Sequence, residues 1–182
     1  RYEDAWGFYQ GARAAREQAD DRGPLGITLG YLANVAAKQG HNDSAAVYYR
    51  AALELMIAQG DDSRTHIVLN NYGDLLAHGG DPAAALPLFE RALTIRRQRG
   101  NLVEQAEVLI NLGDLLRHLG HFTEAITRLE EARALALAAG DIRTLRLRLL
   151  NLGRAEIGVG DAAAARPHLV RTLEIGDSLR DP

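Results

Sequence analysis

Apolar residues recur at helical spacing along most of the chain. Leu109, Leu112 and Leu116 are three and four positions apart, and Ile126 and Leu129 continue the pattern in the next segment. This spacing places the apolar side chains on one face of a helix, with polar residues on the other. The pattern therefore predicts amphipathic helices that each bury one face.

Glycine divides this pattern about every twenty positions, which leaves segments long enough for helices of roughly 25 Å. A glycine just past a helix end permits the left-handed conformation that closes the helix. Asp81 and Asp161 are suited to capping the next helices, and Pro82 to a first turn. We therefore predict helix hairpins that repeat every forty residues. The two glycine series are Gly40, Gly80, Gly120 and Gly160, and Gly60, Gly100 and Gly140.

We predict about nine helices in one array over residues 1–182: a lone helix at 2–19 and four helix pairs at about 25–59, 63–99, 102–139 and 142–180. The chain begins at Arg1, and its only methionine is Met56. We therefore expect it to be part of a longer polypeptide.

The stretch Leu109-Ile110-Asn111-Leu112-Gly113-Asp114-Leu115-Leu116, followed by Gly120, Ala125, Leu129 and Ala132, resembles the tetratricopeptide repeat family. The repeat has forty residues rather than the usual ~34. This resemblance covers nearly the whole chain. It implies an all-α fold, a right-handed superhelical solenoid of antiparallel helix pairs. Small residues such as Gly73, Gly113 and Gly153 then let paired helices approach, and Tyr49, Phe89 and Leu129 fill the space between repeats.

One departure from the repeat is a carboxylate at a core position. Glu156 stands where the other repeats have Ala36, Leu76 and Leu116. Because an unpaired buried carboxylate is costly, we expect this helix to end early or to turn its face outward. Gly158 supports the same expectation.

The resemblance implies that the first helix of each pair lines a concave groove, which binds an extended peptide or a partner helix. Asn71, Asn111 and Asn151 recur once per repeat, and a carboxamide offers both a donor and an acceptor to a main chain. Alternatively, they bond only a neighbouring helix or solvent. The candidate groove residues are Tyr31, Asn34, Lys38, Asn70, Asn71, Asp74, His78, Glu107, Asn111, Asp114, Arg117, His118, Asn151 and Arg154.

The charge of the chain narrows the choice of partners. With 21 basic and 24 acidic residues the net charge is -3, so the strongly basic surface of a direct nucleic-acid binder is not expected. Asp74, Glu107 and Asp114 in the predicted groove favour a peptide segment with some Arg or Lys. No apolar run is long enough to cross a membrane, and the absence of Cys excludes disulfides and thiolate metal sites.

Two further groups of residues have alternative interpretations. The pairs Asp74/His78 and Asp114/His118 have the spacing for a local ion pair, or for part of a zinc-type site. We favour the ion pairs and predict no metal and no cofactor. The arginines at 96, 97 and 99 and at 143, 146 and 148 suit solvated helix faces. Alternatively, Arg143, Arg146, Arg148 and Arg154 form a patch for an anionic ligand or an acidic partner.

No known catalytic motif is present, so we predict a non-enzymatic module for protein or peptide interaction. Similar forty-residue arrays occur in bacterial transcription regulators, a resemblance that implies a cytoplasmic signalling role. The alternative is an inducer-sensing domain for a small molecule or a peptide pheromone. The terminal helices carry Phe8 and Leu173 on faces without a polar cap. Either flanking segments cover these faces, or copies of the chain form a homo-oligomer through them.

Overall fold

The computed structural model describes residues 2–60 and 62–178, without the side chains of residues 142–145, 147, 177 and 178. Within this part of the chain there are nine α-helices and no β-strand, which confirms the all-α prediction. Each helix has 17 or 18 residues. The predicted end of the last repeat, at residue 180, lies outside the described residues. The helices are α1 (Tyr2–Gln18), α2 (Arg22–Lys38), α3 (Asn42–Ala58), α4 (Asp62–Gly79), α5 (Pro82–Arg99), α6 (Leu102–His118), α7 (Phe122–Ala139), α8 (Ile142–Gly158) and α9 (Ala162–Ser178).

The helices form two compact units, residues 1–95 and residues 96–182. In the first unit, α2 packs against α1 and α3, and α4 packs against α3 and α2. In the second unit, α7 packs against α6 and α8, and α8 also packs against α6 and α9. Within each unit, helices that follow one another in the chain are therefore packed together, as short connections favour. Every helix in the described residues is too short or too polar to span a bilayer.

Glycines end the helices as the sequence predicts. After α2, Gly40 has a φ of 79°, and the amide of His41 donates to the carbonyl oxygen of Ala36 at 2.9 Å. A residue with a side chain meets a steric penalty at this φ, which glycine avoids. At helix starts, the Asp81 and Asp161 side chains accept hydrogen bonds from backbone amides three residues later. The ends of the helices are thus encoded locally.

Small residues on the first helix of a pair contact large side chains on the second. A Cβ at Gly73 would lie 2.9 Å from the Phe89 ring, and one at Gly113 would lie 2.5 Å from Leu129. Phe89 and Leu129 are fully buried at these contacts. Gly73 and Gly113 therefore leave room for the large side chain that the second helix of the same pair packs against them.

The expectation for Glu156 was wrong. Helix α8 continues to Gly158, and Glu156 is buried with only 6% of its surface exposed. Its carboxylate has a partner, because the Nδ1 of His168 on α9 lies 2.8 Å from its Oε2. Gly158 has a packing role, since a Cβ there would lie 2.5 Å from the ring of Phe122.

The assignment of the arginines to solvated faces was wrong for two of them. Arg96 is 5% exposed, and its Nη1 donates to the main-chain oxygen of Glu104 and, at 3.2 Å, to Glu107 Oε2. Arg148 is fully buried and therefore cannot belong to a surface patch. Burial lowers the pKa of Arg148 to about 10, against the opposing effects of Asp141 and Glu107. The side chain of Arg143 lies outside the described residues.

The terminal helices expose apolar side chains. Phe8 on α1 is 70% exposed, and Leu173 on α9 is 69% exposed. Trp6 on α1 instead packs edge-on against Tyr48, with ring centroids 5.8 Å apart. The idea that a flanking segment or a second copy covers these faces stays a prediction.

Candidate functional site

The candidate site is a polar cleft on the first unit, where α2, α3 and α4 meet. Its volume is about 450 Å³, within the ~300–1,000 Å³ that is typical of ligand pockets. Five of the predicted groove residues line it, together with side chains that the prediction did not include. We call this site the polar cleft, and its lining residues are Asn34, Ala37, Lys38, Asn42, Tyr49, Asn71, Asp74, Leu75, His78 and Gly79.

Three side chains on three different helices form a hydrogen-bonded network in the polar cleft. Asn34 Oδ1 on α2 accepts from the hydroxyl of Tyr49 on α3 at 2.6 Å. The same oxygen accepts from Asn71 Nδ2 on α4 at 3.0 Å. Because Asn34 Oδ1 accepts both bonds, Asn34 Nδ2 and Asn71 Oδ1 are the amide atoms that this network does not use.

Tyr49 is the part of this network that sequence reasoning assigned to packing alone. It is only 2% exposed, and its ring stacks against that of Tyr72 with centroids 5.5 Å apart. Burial, followed by the negative charge of Asp74, raises the pKa of Tyr49 to about 12. The equivalent residues are Phe89 and Leu129. A hydroxyl at this one buried position was the signal for a partner, since buried Tyr hydroxyls usually have one.

The amide orientations leave two groups available to a ligand. Across the described residues, neither the Nδ2 of Asn34 nor the Oδ1 of Asn71 has a hydrogen-bond partner in the protein. A donor on α2 and an acceptor on α4 are therefore presented by neighbouring helices. A peptide main chain offers the complementary carbonyl and amide groups.

Charged groups lie at the C-terminal ends of α2 and α4. Lys38 is exposed, and no ion pair to it occurs in the described residues. His78 Nδ1 lies 2.9 Å from the main-chain oxygen of Asp74 and 3.3 Å from its Oδ1. Since a carbonyl oxygen only accepts, Nδ1 carries the proton, and Nε2 is the free ring nitrogen. The cleft thus contains one cation and one carboxylate.

A second cleft adjoins the polar cleft along α2. It has a volume of about 340 Å³. Tyr31, a predicted groove residue, stacks on Tyr9 of α1 with ring centroids 5.1 Å apart, and its hydroxyl accepts from Arg64 Nη1 at 2.5 Å. We call it the aromatic cleft, and its lining residues are Tyr2, Ala5, Tyr9, Tyr31, Asn34, Val35 and Lys38.

In the second unit, the predicted acidic residues are paired with basic side chains. Asp114 Oδ1 accepts from Arg117 at 2.8 Å, and its Oδ2 lies 3.5 Å from His118 Nδ1. Glu107 is paired with the buried Arg96. The local negative potential that a basic ligand was expected to find is therefore reduced here.

The remaining predicted groove residues differ in exposure. Asn151 is 5% exposed, so its predicted exposure in a groove was wrong. Asn70 and Asn111 are half-buried, and each interacts with other protein groups. Arg154 is exposed. In the described residues, no group of three His, Asp or Glu side chains is arranged to hold a metal ion.

Comparisons with known proteins concern both family and fold. Residues 64–138 match the family model of the tetratricopeptide repeat. No curated protein matches the chain in sequence.

Several solved structures share the fold. BtubC (BKLC) from P. vanneervenii has 21% identity and a TM-score of 0.91, covering 100% of this chain and 75% of that one. A Rap protein complexed with competence and sporulation factor has 18% identity and a TM-score of 0.78, covering 97% and 49%. YrrB, a protein of the same repeat class with an unusual peptide-binding site, has 18% identity and a TM-score of 0.70, covering 96% and 77%. At these identities the likeness concerns the fold, which is the predicted solenoid of antiparallel helix pairs.

Proposed function

We propose that this protein is a non-catalytic interaction module, because residues 64–138 match the family model of the tetratricopeptide repeat and the described helices share the fold of solved repeat structures. Its polar cleft binds an extended segment of a partner protein. The observation that carries this proposal is the pair of amide groups on neighbouring helices, which leaves Asn34 Nδ2 as a donor and Asn71 Oδ1 as an acceptor. Two such groups on adjacent helices suit a main chain, whose carbonyls and amides recur along its length.

The lining of the polar cleft favours a peptide over a small molecule. Small-molecule pockets are mostly apolar with a few polar groups, whereas Asn34, Asn42, Asn71, Asp74 and His78 all line this cleft. A peptide main chain satisfies such groups at every residue. Exposed Asp74 is suited to a basic side chain of the same segment.

The proposal is tested by selecting binders from a display library of random dodecapeptides against the purified chain. A selected peptide is synthesised, and its Kd is measured with the unaltered chain and with Asn71→Ala. We expect Asn71→Ala to weaken binding by about tenfold, since a hydrogen bond contributes roughly 0.5–1.5 kcal/mol. Glu54→Ala on α3 is the control, because this exposed residue does not line the cleft.

Selection of no peptide would contradict the proposal. So would a peptide whose Kd is the same for the unaltered chain and for Asn71→Ala. Circular dichroism at 222 nm checks that both variants keep their helices. If Asn71→Ala loses helicity, Asn71→Ser repeats the measurement with a smaller loss of polar volume.

The biological setting that we propose is signalling or transcription regulation in the bacterial cytoplasm. The fold shared with the Rap protein complexed with competence and sporulation factor supports this setting. The alternative role is an inducer-sensing domain for a small molecule or a peptide pheromone, and a small-molecule inducer would fill the polar cleft by itself. Thermal unfolding with a defined set of metabolites distinguishes a peptide-binding module from a sensor of small molecules. A compound that raises the Tm of the chain but not of Asn71→Ala favours the sensor.

A further inference from the structure

The aromatic cleft differs in chemistry from the polar cleft beside it. Its walls are formed by three tyrosines, Ala5 and Val35, and only Asn34 and Lys38 at its border carry an amide or a charge. Tyr2 is 53% exposed and Tyr31 is 37% exposed, so parts of two rings face solvent. Apolar ring surface of this kind is favourably covered by another apolar group.

The walls of the aromatic cleft are held in place by contacts within the first unit. The rings of Tyr9 and Tyr31 are nearly parallel, with an angle of 20° between their planes. Tyr31 is also held by Arg64, and Val35 is 8% exposed. Because contacts within the protein hold these side chains, binding requires little ordering of the walls.

The two clefts are continuous through shared residues. Asn34 and Lys38 line both of them. Successive side chains of an extended peptide point to opposite sides and advance about 3.3 Å per residue. A main chain bound at Asn34 and Asn71 therefore has a side chain within reach of the aromatic cleft.

Charge restricts which side chain fits. Lys38 is the one charged residue among those that line the aromatic cleft. A lysine or arginine side chain there would meet a like charge and would leave water for an apolar wall, both of which are unfavourable. A large aliphatic or aromatic side chain meets neither penalty.

We propose that the aromatic cleft is a specificity pocket that takes one bulky, uncharged apolar side chain of the peptide bound in the polar cleft. This inference rests on the proposed function, because the main chain held by Asn34 and Asn71 delivers the side chain. The partner is therefore a segment with a large apolar residue at one fixed position. Basic residues are excluded at that position and accepted near Asp74.

The test uses the peptides selected from the random dodecapeptide library. We expect their alignment to show Leu, Ile, Met, Phe or Trp at one position. Changing that residue to Ala should weaken binding to the unaltered chain by about tenfold or more, and changing it to Lys should weaken it further.

A variant that fills the cleft isolates its contribution. Ala5→Phe places a ring in the aromatic cleft, whereas Ala14→Phe adds the same ring at an exposed position of the same helix. We expect Ala5→Phe to remove the preference for the apolar residue, so that the parent peptide and its Ala version bind with similar Kd. Ala14→Phe should keep the preference.

A measurement on the unaltered chain does not depend on how variants fold. A peptide with a photoreactive benzoylphenylalanine at the apolar position should crosslink to Tyr2, Tyr9 or Tyr31, as located by mass spectrometry. Crosslinks elsewhere, the absence of a shared apolar position, or equal effects of Ala5→Phe and Ala14→Phe would overturn the inference. If Asn71→Ala still weakens binding in that case, the proposed function stands. If Asn71→Ala has no effect, the proposed function fails as well.

Discussion

At the scale of single residues, Arg148 is a buried cation at a core position. None of its guanidinium nitrogens has a hydrogen-bond partner within the described part of the chain. A pKa of about 10 rather than 12.5 corresponds to roughly 3 kcal/mol of destabilisation of the charged form, at about 1.36 kcal/mol per pKa unit. One and two repeats earlier, the equivalent residues are Val108 and Val68, which are also buried. We therefore predict that Arg148→Val raises the free energy of unfolding by about 1–3 kcal/mol at pH 7.

Urea denaturation followed by circular dichroism measures this change. Arg154→Val is the matched control, because Arg154 lies on the same helix but is exposed, and such changes usually stay within about 0.5 kcal/mol. A loss of stability in Arg148→Val would show that the guanidinium is stabilising where it lies.

The paired side chains Glu156 and His168 allow a second prediction at this scale. His168→Leu leaves the carboxylate of Glu156 buried without its 2.8 Å partner, and we expect a loss of about 1–3 kcal/mol. Adding Glu156→Leu should restore most of this stability, because Leu116 occupies the equivalent core position in the preceding repeat. The four proteins of this double-mutant cycle are compared by urea denaturation. Equal losses in the single and the double variant would exclude the pairing as the reason for the burial of Glu156.

At the scale of helices, close approach within a pair predicts a ranking of glycine substitutions. Gly113→Ala should be the most destabilising, by about 1–3 kcal/mol, since its Cβ would lie 2.5 Å from Leu129. Gly73→Ala should cost less, because the nearest atom of Phe89 is 2.9 Å away. Gly79→Ala should stabilise by up to about 1 kcal/mol, since its Cβ would meet nothing within 4 Å beyond its neighbours in the same helix and Ala is the better helix former.

Thermal unfolding of the three variants and the unaltered chain gives the order of their Tm values. Gly73 and Gly79 lie on the same helix, but only a Cβ at Gly73 would meet a large side chain of the next helix. A lower Tm for Gly79→Ala than for Gly73→Ala would contradict the close approach of α4 and α5.

The helices themselves were predictable because their signals are local. A glycine at a positive φ or an aspartate at a helix start acts within a few residues of its own position, as at Gly40 and Asp81. The burial of Glu156 was not predictable in this way, since its partner is twelve residues away on another helix. Only the packing of α8 on α9 brings the carboxylate and the imidazole together.

At the scale of the whole molecule, the sequence located the cleft better than it described its chemistry. Alignment of the repeats predicted Asn34, Asn71 and Asp74 as groove residues, because equivalent positions of stacked helix pairs share one face. The alignment did not predict that Asn34 Oδ1 accepts two hydrogen bonds, since these bonds depend on how far along α2 the side chains of Tyr49 and Asn71 lie. It also treated Asn151 like the other asparagines, although only packing in the second unit decides that this side chain is buried.

The burial of Tyr49 predicts how the molecule responds to alkaline pH. Its pKa is about 12 in the folded chain and 10.0 in the unfolded chain, because burial and Asp74 both disfavour the phenolate. The neutral phenol therefore stabilises the fold fully below pH 10, and this stabilisation is lost as the pH rises toward 12. Two pKa units correspond to at most about 2.7 kcal/mol. Urea denaturation between pH 8 and pH 12 measures the decline.

Tyr49→Phe isolates the contribution of this one hydroxyl to the alkaline decline. At pH 8 the variant should be less stable by about 0.5–1.5 kcal/mol, because Asn34 loses a hydrogen bond. Its stability should then fall less steeply than that of the unaltered chain above pH 10, so that the two curves approach or cross before pH 12. Parallel curves over this range would mean that the Tyr49 hydroxyl ionises as easily in the folded chain as in the unfolded one. Water would then reach this hydroxyl more readily than the 2% exposure of Tyr49 indicates.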